Sequence, residues 1–391
     1  MAIFSVIGAN YGDEGKGLIT DFLVSQNPNS IVVRFNGGSQ AGHTVEHDCK
    51  GLVHRHAFGH FGSGSFLGAP TYLSRFFVVN PFLFINEYYR LIKKLPTAPK
   101  VFIDPLCPVT LPCDILINQD IEKKRGNNRH GSCGVGFGET IERHAHPEYK
   151  ITFGDLLTED YTKIIVDRSL IWYKERRNQL GLVDSDLEEC KKFHSVFFDV
   201  VAKMKQKVLL PDSMQYDNIV FEGAQGLLLD MDNKNNFPFV TRSNTGLKNV
   251  IDICSDLGIK EKIQAVYVSR CYLTRHGADP RFEDVPHVRE FFNIQDKTNV
   301  VNDWQGNLKV DALNPSELID RIKQDTQNYL NDVSASIALT CLDQVIDSEK
   351  FISKDDSNNY HISSEENFIN KLNKFNVVKY VVRGPKRSNV C

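Results

Sequence analysis

Seven short apolar segments recur along the chain without the strict polar alternation of a half-exposed strand. They are residues 2–7, 30–35, 101–103, 218–221, 264–269, 336–342 and 377–382. Strands that are covered on both faces of a parallel sheet have this composition. The pattern therefore predicts seven strands of a largely parallel sheet.

Helical segments are interspersed among these strands. They are predicted at residues 16–24, 81–94, 186–207, 315–330 and 365–375. Pro315 fits a first helical position, with Asn314 as the cap. Alternating strands and helices predict the α/β class, with a large, mostly parallel central sheet and helices on both faces.

Three glycine-rich or polar stretches interrupt the pattern and predict long loops, which in compact domains often carry function. They are residues 59–69, 125–138 and 230–245. A clean linker is not evident. We therefore predict one domain over residues 1–391, with insertions at roughly 81–215 and 280–315.

The charge balance argues against several classes of partner. Lys and Arg number 46 against 49 Asp and Glu, for a net charge of -3. A chain without a basic excess is a poor non-specific nucleic-acid binder. We found no apolar run of the roughly 18 residues that a membrane span needs. Nucleic acid and membrane are therefore not expected as partners.

The cysteines and the start of the chain indicate a compartment. The nine cysteines are odd in number and have no CxxC spacing, which disfavours a disulfide framework and a zinc site. Reduced thiols predict a cytoplasmic protein. Residues 1–8 lack a basic region and run into glycines, so they are expected to form a strand and not a signal peptide.

The strongest local signal is residues 6–17, VIGANYGDEGKG. A buried strand that leads through glycines and a lysine into a helix predicts a P-loop-like phosphate site. It departs from the standard loop, because six residues separate Gly8 from Gly15 and Gly17 follows Lys16. The extra length carries Asp13 and Glu14, whose carboxylates suggest Mg²⁺ binding or proton transfer. The alternative is a glycine-rich turn with exposed charges.

Six motifs, in order along nearly the whole chain, resemble those of the adenylosuccinate synthetase family. They are GDEGKG at 12–17, NGGSQAGHTV at 36–45, FEGAQG at 221–226, TRHGA at 274–278, TCLD at 340–343 and GPKRS at 384–388. Any one of them would be a weak signal. Their order and span make chance agreement negligible.

This resemblance implies a ligase that forms a C–N bond. In the family, GTP phosphorylates O6 of IMP, and the amino group of aspartate then displaces the phosphate. Phosphorylation is the core of the reaction, because a purine 6-oxo group is a very poor leaving group. The implied partners are GTP or ATP, IMP or dGMP, and aspartate, with Mg²⁺ as cofactor and a homodimer as the assembly.

The resemblance also implies residue roles. Asp13 would take the purine N1 proton, and the catalytic set is Asp13, His43 and Gln225. The Mg²⁺ ligands would be Asp13 and the Gly42 carbonyl. The residues implied for the triphosphate are Gly12, Gly15, Lys16, Gly17, Asp343, Lys386 and Ser388.

The other substrates have their own implied residues. Those for the nucleoside monophosphate are Gln40, Ser132, Cys133, Thr241 and Arg143, the last supplied by a second subunit. Those for the amine substrate are Thr298, Asn299 and Arg275.

The chain departs from the family pattern at several positions. Residues 297–309 contain no arginine where the family has an Arg-rich loop for the carboxylates of aspartate. Cys133 replaces a hydroxyl, Gln40 replaces an asparagine beside the purine, and Cys341 replaces a lysine over guanine. These changes leave three alternatives open beside the main reading: dGMP as the nucleotide, as in phage-type relatives; a different amine; and a nucleotide-binding protein without turnover.

Overall fold

The computed structural model describes residues 1–49, 51–126, 134–158, 161–182, 187–209, 216–276, 279, 282–294, 308–374 and 377–391. The strands in these parts of the chain are β1 Ala2–Gly8, β2 Ser30–Arg34, β3 His43–Cys49, β4 Leu52–Phe58, β5 Thr71–Leu73, β6 Val101–Ile103, β7 Asn218–Gly226, β8 Ile263–Arg270, β9 Tyr272–Arg275, β10 Lys309–Ala312, β11 Val333–Thr340, β12 Phe351–Lys354, β13 Tyr360–Ser363 and β14 Val378–Val381. The α-helices are α1 Lys16–Gln26, α2 Pro81–Leu91, α3 Pro112–Arg125, α4 Phe137–His144, α5 Phe153–Leu157, α6 Thr162–Gln179, α7 Leu187–Lys205, α8 Lys248–Asp256, α9 Pro315–Thr326 and α10 Glu365–Asn373.

One eight-stranded sheet forms the centre of the fold. Its strand order is β14-β11-β8-β1-β7-β2-β5-β6, and every neighbouring pair is parallel. All seven predicted strands belong to this sheet. The eighth strand, β5, was not predicted; it has three residues, Thr71–Leu73, and begins with a polar one. The predicted α/β class with a large parallel sheet is confirmed.

Both faces of the sheet are covered by helices. In β1, Ile3 and Ile7 belong to the hydrophobic cluster that includes residues of α8, α9 and α10. Phe4 and Val6 belong to the cluster that includes α1. Because successive side chains of a strand point to opposite faces, both sets must be apolar. This explains the absence of polar alternation in the sequence.

The segment predicted as the first insertion is largely helical. Helices α2, α3, α6 and α7 pack around a second hydrophobic cluster with Phe84, Trp172 and Phe197, next to β5 and β6. Helices α3, α4, α5, α6 and α8 were not among those predicted. In α6, the buried positions include Ser169 and Arg177, so the apolar stripe that reveals a helix is interrupted. The organisation as one domain stays a prediction.

Two predicted helices are shorter in the structure. The predicted helices at 81–94 and 315–330 end earlier, at Leu91 and Thr326. Farther along the chain, β13 pairs with β12 in an antiparallel hairpin. None of the helices in the described ranges is long and apolar enough to cross a bilayer.

The order of the strands determines where a ligand can bind. From β1 the chain moves outward to β2, β5 and β6, then returns to β7 beside β1, and continues on the other side to β8, β11 and β14. The strand order therefore changes direction next to β1. Parallel sheets bind ligands at the carboxyl ends of strands beside such a point.

Asp325, on helix α9, has a carboxyl group whose pKa is shifted by its surroundings. Asp325 on α9 accepts a hydrogen bond from the Tyr267 hydroxyl at 2.7 Å and from the Leu247 N–H at 3.1 Å. Burial raises the pKa of Asp325 from 3.8 to about 6. The folded state therefore keeps this proton to a higher pH than the unfolded state does.

We predict that Asp325→Asn changes how stability depends on pH. Protonation of Asp325 contributes about 3 kcal/mol to the free energy of unfolding below about pH 4. This contribution is lost as the pH rises through 6. The variant should therefore gain stability relative to the wild type between pH 4 and 7, as measured by urea unfolding. Asp320→Asn, on the exposed side of the same helix, is the control. The prediction would be contradicted if the free energies of unfolding of Asp325→Asn and the wild type differed by the same amount at every pH in this range.

Candidate functional site

The turn after β1 is built by glycines that allow close approach. A side chain at Gly8 would place its Cβ 2.3 Å from the Gln225 carbonyl oxygen. Gly12 and Gly15 have φ angles of 96° and 94°, which disfavour other residues. Gly15 caps α1, so the first N–H groups of this helix point toward the turn. This is the local geometry of a phosphate site.

The two neighbouring carboxylates of the turn, Asp13 and Glu14, have different environments. Glu14 is buried and its Oε1 accepts from the Asn10 N–H at 2.5 Å. Burial raises the pKa of Glu14 from 4.5 to about 7, although Lys16, whose Nζ lies 3.8 Å away, acts to lower it. The Asp13 side chain is 41% exposed and lines a cleft. Asp13 is therefore the carboxylate that a ligand can reach.

Three residues of the site have a strained backbone. Asp13, Gln225 and Cys341 have φ angles of 58°, 62° and 65°. The other residues with positive φ in the described chain, glycines aside, are two asparagines, which tolerate this conformation. Strain of this kind persists only where the surroundings enforce it, and it clusters at functional sites. The backbone thus marks the same three loops as the sequence motifs.

A buried imidazole–carboxylate pair lies beside the turn. His43, at the start of β3, has Nδ1 2.7 Å from Oε1 of Glu222 on β7. Glu222 also accepts from the Ser63 N–H at 3.0 Å and from the Ser63 hydroxyl. The His43 Nε2 atom is buried and has no hydrogen-bond partner. It is the kind of group that a bound anion or water satisfies.

The charge state of this pair follows from its surroundings. Burial lowers the pKa of His43. Burial acts to raise the pKa of Glu222, but His43, Arg34 and Ser63 together hold it below its usual value. An ionised Glu222 places the proton of neutral His43 on Nδ1 and leaves the Nε2 lone pair open. Glu222 was not predicted as a site residue; its only signal was an acidic residue inside a buried strand.

The two glutamines predicted for the purine have open polar atoms. The Asn36 side chain clamps Ala224, accepting from its N–H at 2.7 Å and donating to its carbonyl at 3.0 Å. This clamp fixes the turn that carries Gln225. Gln225 Oε1 and Gln40 Nε2 are both buried without a hydrogen-bond partner. A bound polar ligand could satisfy either atom.

The remaining residues predicted for the monophosphate are only partly described. Thr241 is half-buried and its N–H donates to the Leu229 carbonyl at 2.8 Å. Ser243, two residues on, accepts from the Gly37 N–H at 3.0 Å. The segment of Thr241 therefore reaches the loop of Gln40. Ser132 and Cys133, and also Thr298 and Asn299 for the amine, lie outside the described residues.

A cleft of about 300 Å³ joins the two ends of the chain. Its lining includes Asp13 and Gly15 from the turn, Asp343 after β11, and Gly384 with Pro385 near the C-terminus. Of the predicted triphosphate residues, Gly12, Lys16 and Gly17 lie in or beside the same turn. Lys386 instead places Nζ 3.4 Å from Asp48, and Ser388 is exposed. The backbone before these two residues forms the wall of the cleft.

The prediction that Arg143 completes a partner subunit's site is wrong. Arg143 is fully buried within its own chain. Its Nε and Nη2 both donate to the Asp114 carboxylate at 2.9 Å, and its guanidinium also donates to the carbonyls of Val109 and Tyr149. A guanidinium held in this way cannot reach another chain. It stabilises the packing of α4 against α3.

Arg275 is also engaged by groups of its own chain. Its Nη1 lies 3.2 Å from Asp279 Oδ2, its Nη2 donates to the Phe239 carbonyl at 3.0 Å, and its guanidinium stacks 4.4 Å from the Tyr11 ring centroid. A substrate carboxylate at Arg275 would have to replace Asp279. Among the described residues, Lys309 likewise donates to the Asp279 and Phe282 carbonyls.

The fold and the turn define a nucleotide-binding α/β protein with a modified phosphate loop. A family model described as adenylosuccinate synthetase matches residues 5–299. The chain therefore belongs to the adenylosuccinate synthetase family.

Adenylosuccinate synthetases of several bacteria are similar in sequence. That of Lactobacillus acidophilus is 32% identical over 293 residues, covering 72% of this chain and 64% of the relative. That of Dichelobacter nodosus is 29% identical over 288 residues, covering 70% and 63%. The chain thus spans about 63% of the length of such relatives.

Two solved structures have the same fold. The fully ligated adenylosuccinate synthetase of Plasmodium falciparum has a TM-score of 0.75 at 19% identity, covering 100% of this chain and 99% of that one. The succinoaminodeoxyadenylate synthetase of cyanophage S-2L, bound to dGMP and dATP, has a TM-score of 0.63 at 15% identity, covering 100% and 95%. At these identities the likeness shows the fold alone.

We predict that two glycines in equivalent helix positions respond oppositely to alanine. Gly17 and Gly138 are each the second residue of a helix, α1 and α4. A Cβ at Gly17 would lie 2.9 Å from His43 Cβ and 3.0 Å from Ser63 Oγ, whereas nothing lies within 4 Å at Gly138. Gly17→Ala should therefore destabilise the protein by about 1–3 kcal/mol. Gly138→Ala should be neutral or stabilise it by up to about 1 kcal/mol. Urea unfolding measures both, and equal effects would refute the crowding at Gly17.

Proposed function

We propose that this protein is a purine nucleotide:aspartate ligase that converts IMP, aspartate and GTP to adenylosuccinate, GDP and phosphate. The observation that carries the proposal is the grouping of Asp13, Lys16, His43 and Gln225 at the carboxyl ends of β1 and β7. Gly8 and Gly17 hold these parts in contact, since Gly8 abuts Gln225 and Gly17 abuts His43. Membership of the family supports the same chemistry.

The first chemical step activates the purine oxygen. Asp13 takes the N1 proton, which moves electron density onto O6. O6 then attacks the γ-phosphorus of the triphosphate, and the diphosphate leaves. The open position of Asp13 supports this role, because a general base must reach the proton it removes. The buried Glu14 cannot act in its place.

The second step replaces the new phosphate. The amino group of aspartate attacks C6, the phosphate departs with the bonding electrons of the C6–O6 bond, and the amine loses a proton. His43 supports this step because its open Nε2 can take a proton and then donate to a phosphoryl oxygen. The buried carboxylate of Glu222 stabilises the imidazolium that forms. Lys16 and the start of α1 hold the triphosphate.

The residues present fit a magnesium ion bound together with the triphosphate. Asp13 presents an accessible carboxylate beside the glycine turn, and Gly42 is exposed at the start of β3. Within the described residues, no group of three or more His, Cys, Asp or Glu side chains could hold a metal alone. Mg²⁺ is commonly bound through one or two carboxylates plus substrate phosphates. Asp13 and the Gly42 carbonyl would hold it there, where it would neutralise phosphate charge.

The base of the triphosphate and the purine of the monophosphate are proposed to contact different residues of the site. Asp343, exposed in the cleft wall, supports a triphosphate base that donates two hydrogen bonds, as guanine does through N1 and N2. Lys386 and Ser388 would flank it. Gln40, Gln225 and Thr241 would hold the purine monophosphate. Because the cyanophage protein is bound to dGMP and dATP, dGMP and ATP belong among the substrates tested.

Aspartate is the proposed amine donor, with Arg275 as the proposed partner of its carboxylates. The pairing of Arg275 with Asp279 supports a site where a carboxylate is already accommodated. A homodimer and a cytoplasmic location stay predictions from the resemblance and the cysteine pattern.

We predict that phosphate release requires Asp13. Purified protein with GTP or ATP, IMP or dGMP, and aspartate should release phosphate only when both nucleotides are present. Asp13→Asn should reduce kcat by about 10²–10⁴-fold, since it removes the general base. Asp347→Asn, with a similarly exposed carboxylate away from the cleft, is the control. Absence of purine-dependent release across all combinations would refute the ligase, and release that depends on another amino acid and not on aspartate would point to another amine.

We predict that His43→Asn separates binding from turnover. The asparagine amide can still donate to Glu222 as Nδ1 does, but nothing replaces Nε2. We expect kcat to fall by about 10²-fold or more while the Kd of each nucleotide changes little. His361→Asn, at an exposed histidine on β13, is the control. Undiminished kcat in His43→Asn would remove His43 from the mechanism.

A further inference from the structure

A chain of hydrogen bonds runs from the catalytic turn to the far wall of the cleft. Arg270, at the end of β8, donates from Nε to the Asp13 carbonyl at 2.5 Å and from Nη1 to the Tyr272 hydroxyl at 3.3 Å. The Tyr272 hydroxyl donates in turn to Gln344 Oε1 at 2.5 Å. Arg270 and Tyr272 are both buried. Asp13, Arg270 and Gln344 line the same cleft.

The first bond of this chain acts on a strained residue. Asp13 has a φ of 58°, in the left-handed region that residues other than glycine adopt infrequently. It persists because neighbours hold the backbone there. A charged guanidinium is a strong donor to a carbonyl, so Arg270 fixes the peptide that follows Asp13. The direction of the Asp13 carboxylate depends on that peptide.

The other end of this series of hydrogen bonds is Gln344, in the part of the cleft wall that is proposed to bind the base. Gln344 is adjacent to Asp343, and both line the cleft. A base that binds Asp343 lies against the Gln344 amide, whose oxygen is held by Tyr272. Because Tyr272 is packed against Phe292 at 4.8 Å between ring centroids, its hydroxyl has little freedom to move independently.

We propose that Arg270 is a positioning residue that ties the orientation of Asp13 to occupation of the base end of the cleft, through Tyr272 and Gln344. This inference rests on the proposed function, in which Asp13 is the general base. It assigns to Arg270 a task distinct from binding the triphosphate. Binding of the correct base then holds the Asp13 carboxylate, which begins the reaction, in its orientation.

Kinetics of two variants test the positioning role. Tyr272→Phe keeps the buried ring but removes the hydroxyl that links Arg270 to Gln344. Arg270→Lys keeps the positive charge but cannot donate to the Asp13 carbonyl and the Tyr272 hydroxyl with guanidinium geometry. We expect kcat to fall about tenfold or more in each, as for loss of a hydrogen bond. The KM and directly measured Kd of the triphosphate should stay within a factor of about three. Loss of triphosphate affinity in step with kcat would mean that Arg270 binds phosphate directly, and unchanged kcat would remove its role.

Matched controls separate positioning from stability. Tyr267→Phe removes another buried hydroxyl, which bonds to Asp325 and does not line the cleft. Arg177→Lys alters another buried arginine, which pairs with Asp120 on α3. Both should lose stability without loss of kcat. A comparable fall of kcat in these controls would show a general effect of stability and overturn the inference.

A measurement without turnover distinguishes this inference from the proposed function. Amide hydrogen exchange of residues 8–18 is followed with and without guanosine, which has a base but no phosphate to touch the turn. Guanosine should slow exchange in the wild type and in Tyr267→Phe, but not in Tyr272→Phe. Equal protection in Tyr272→Phe, or none in the wild type at any soluble concentration, would overturn the coupling. If guanosine protects the turn and no substrate combination gives turnover, the proposed function fails and the coupling stands.

Discussion

The buried carboxylate of Glu222 is the interaction on which the site depends. A charge without access to water must be balanced by nearby cations and hydrogen bonds. Glu222 accepts from His43 and from Ser63, and the buried Arg34 supplies further positive charge. These groups come from β2, from the start of β3 and from the loop before β5. One carboxylate inside a central strand therefore holds three separate segments together and sets the tautomer of the histidine.

Close backbone approach is the second condition. β1 and β7 are neighbours in the sheet, and the loops that follow them interlock where Gly8 and Gly226 leave no room for a Cβ. The C-terminal segment is attached by the ion pair of Arg387 with Asp21 on α1, at 2.9 Å. This attachment brings Gly384 and Pro385 to the cleft. The cleft consequently combines residues from both ends of the chain around one turn.

Prediction failed where buried polar groups replaced the expected apolar pattern. Helix α3 was missed because its buried face includes Asp114 and Glu122, and the pairing of Asp114 with Arg143 explains why those charges are tolerated. The same pairing refuted the role predicted for Arg143. An arginine in a sequence does not show whether its partner is a substrate or a carboxylate of its own core. Arg275 and Asp279 repeat this ambiguity four residues apart.

The sequence by itself determined seven of the eight strands of the sheet, the phosphate turn and the family, because continuous apolar runs and glycine spacing are local properties of the chain. It also pointed to Asp13 and His43. Only the tertiary structure decided that Asp13 is open while Glu14 is buried, that Glu222 holds His43, and that Arg270 reaches the Asp13 carbonyl. Each of those facts depends on burial and on contacts between residues as many as 257 positions apart, which local pattern cannot encode.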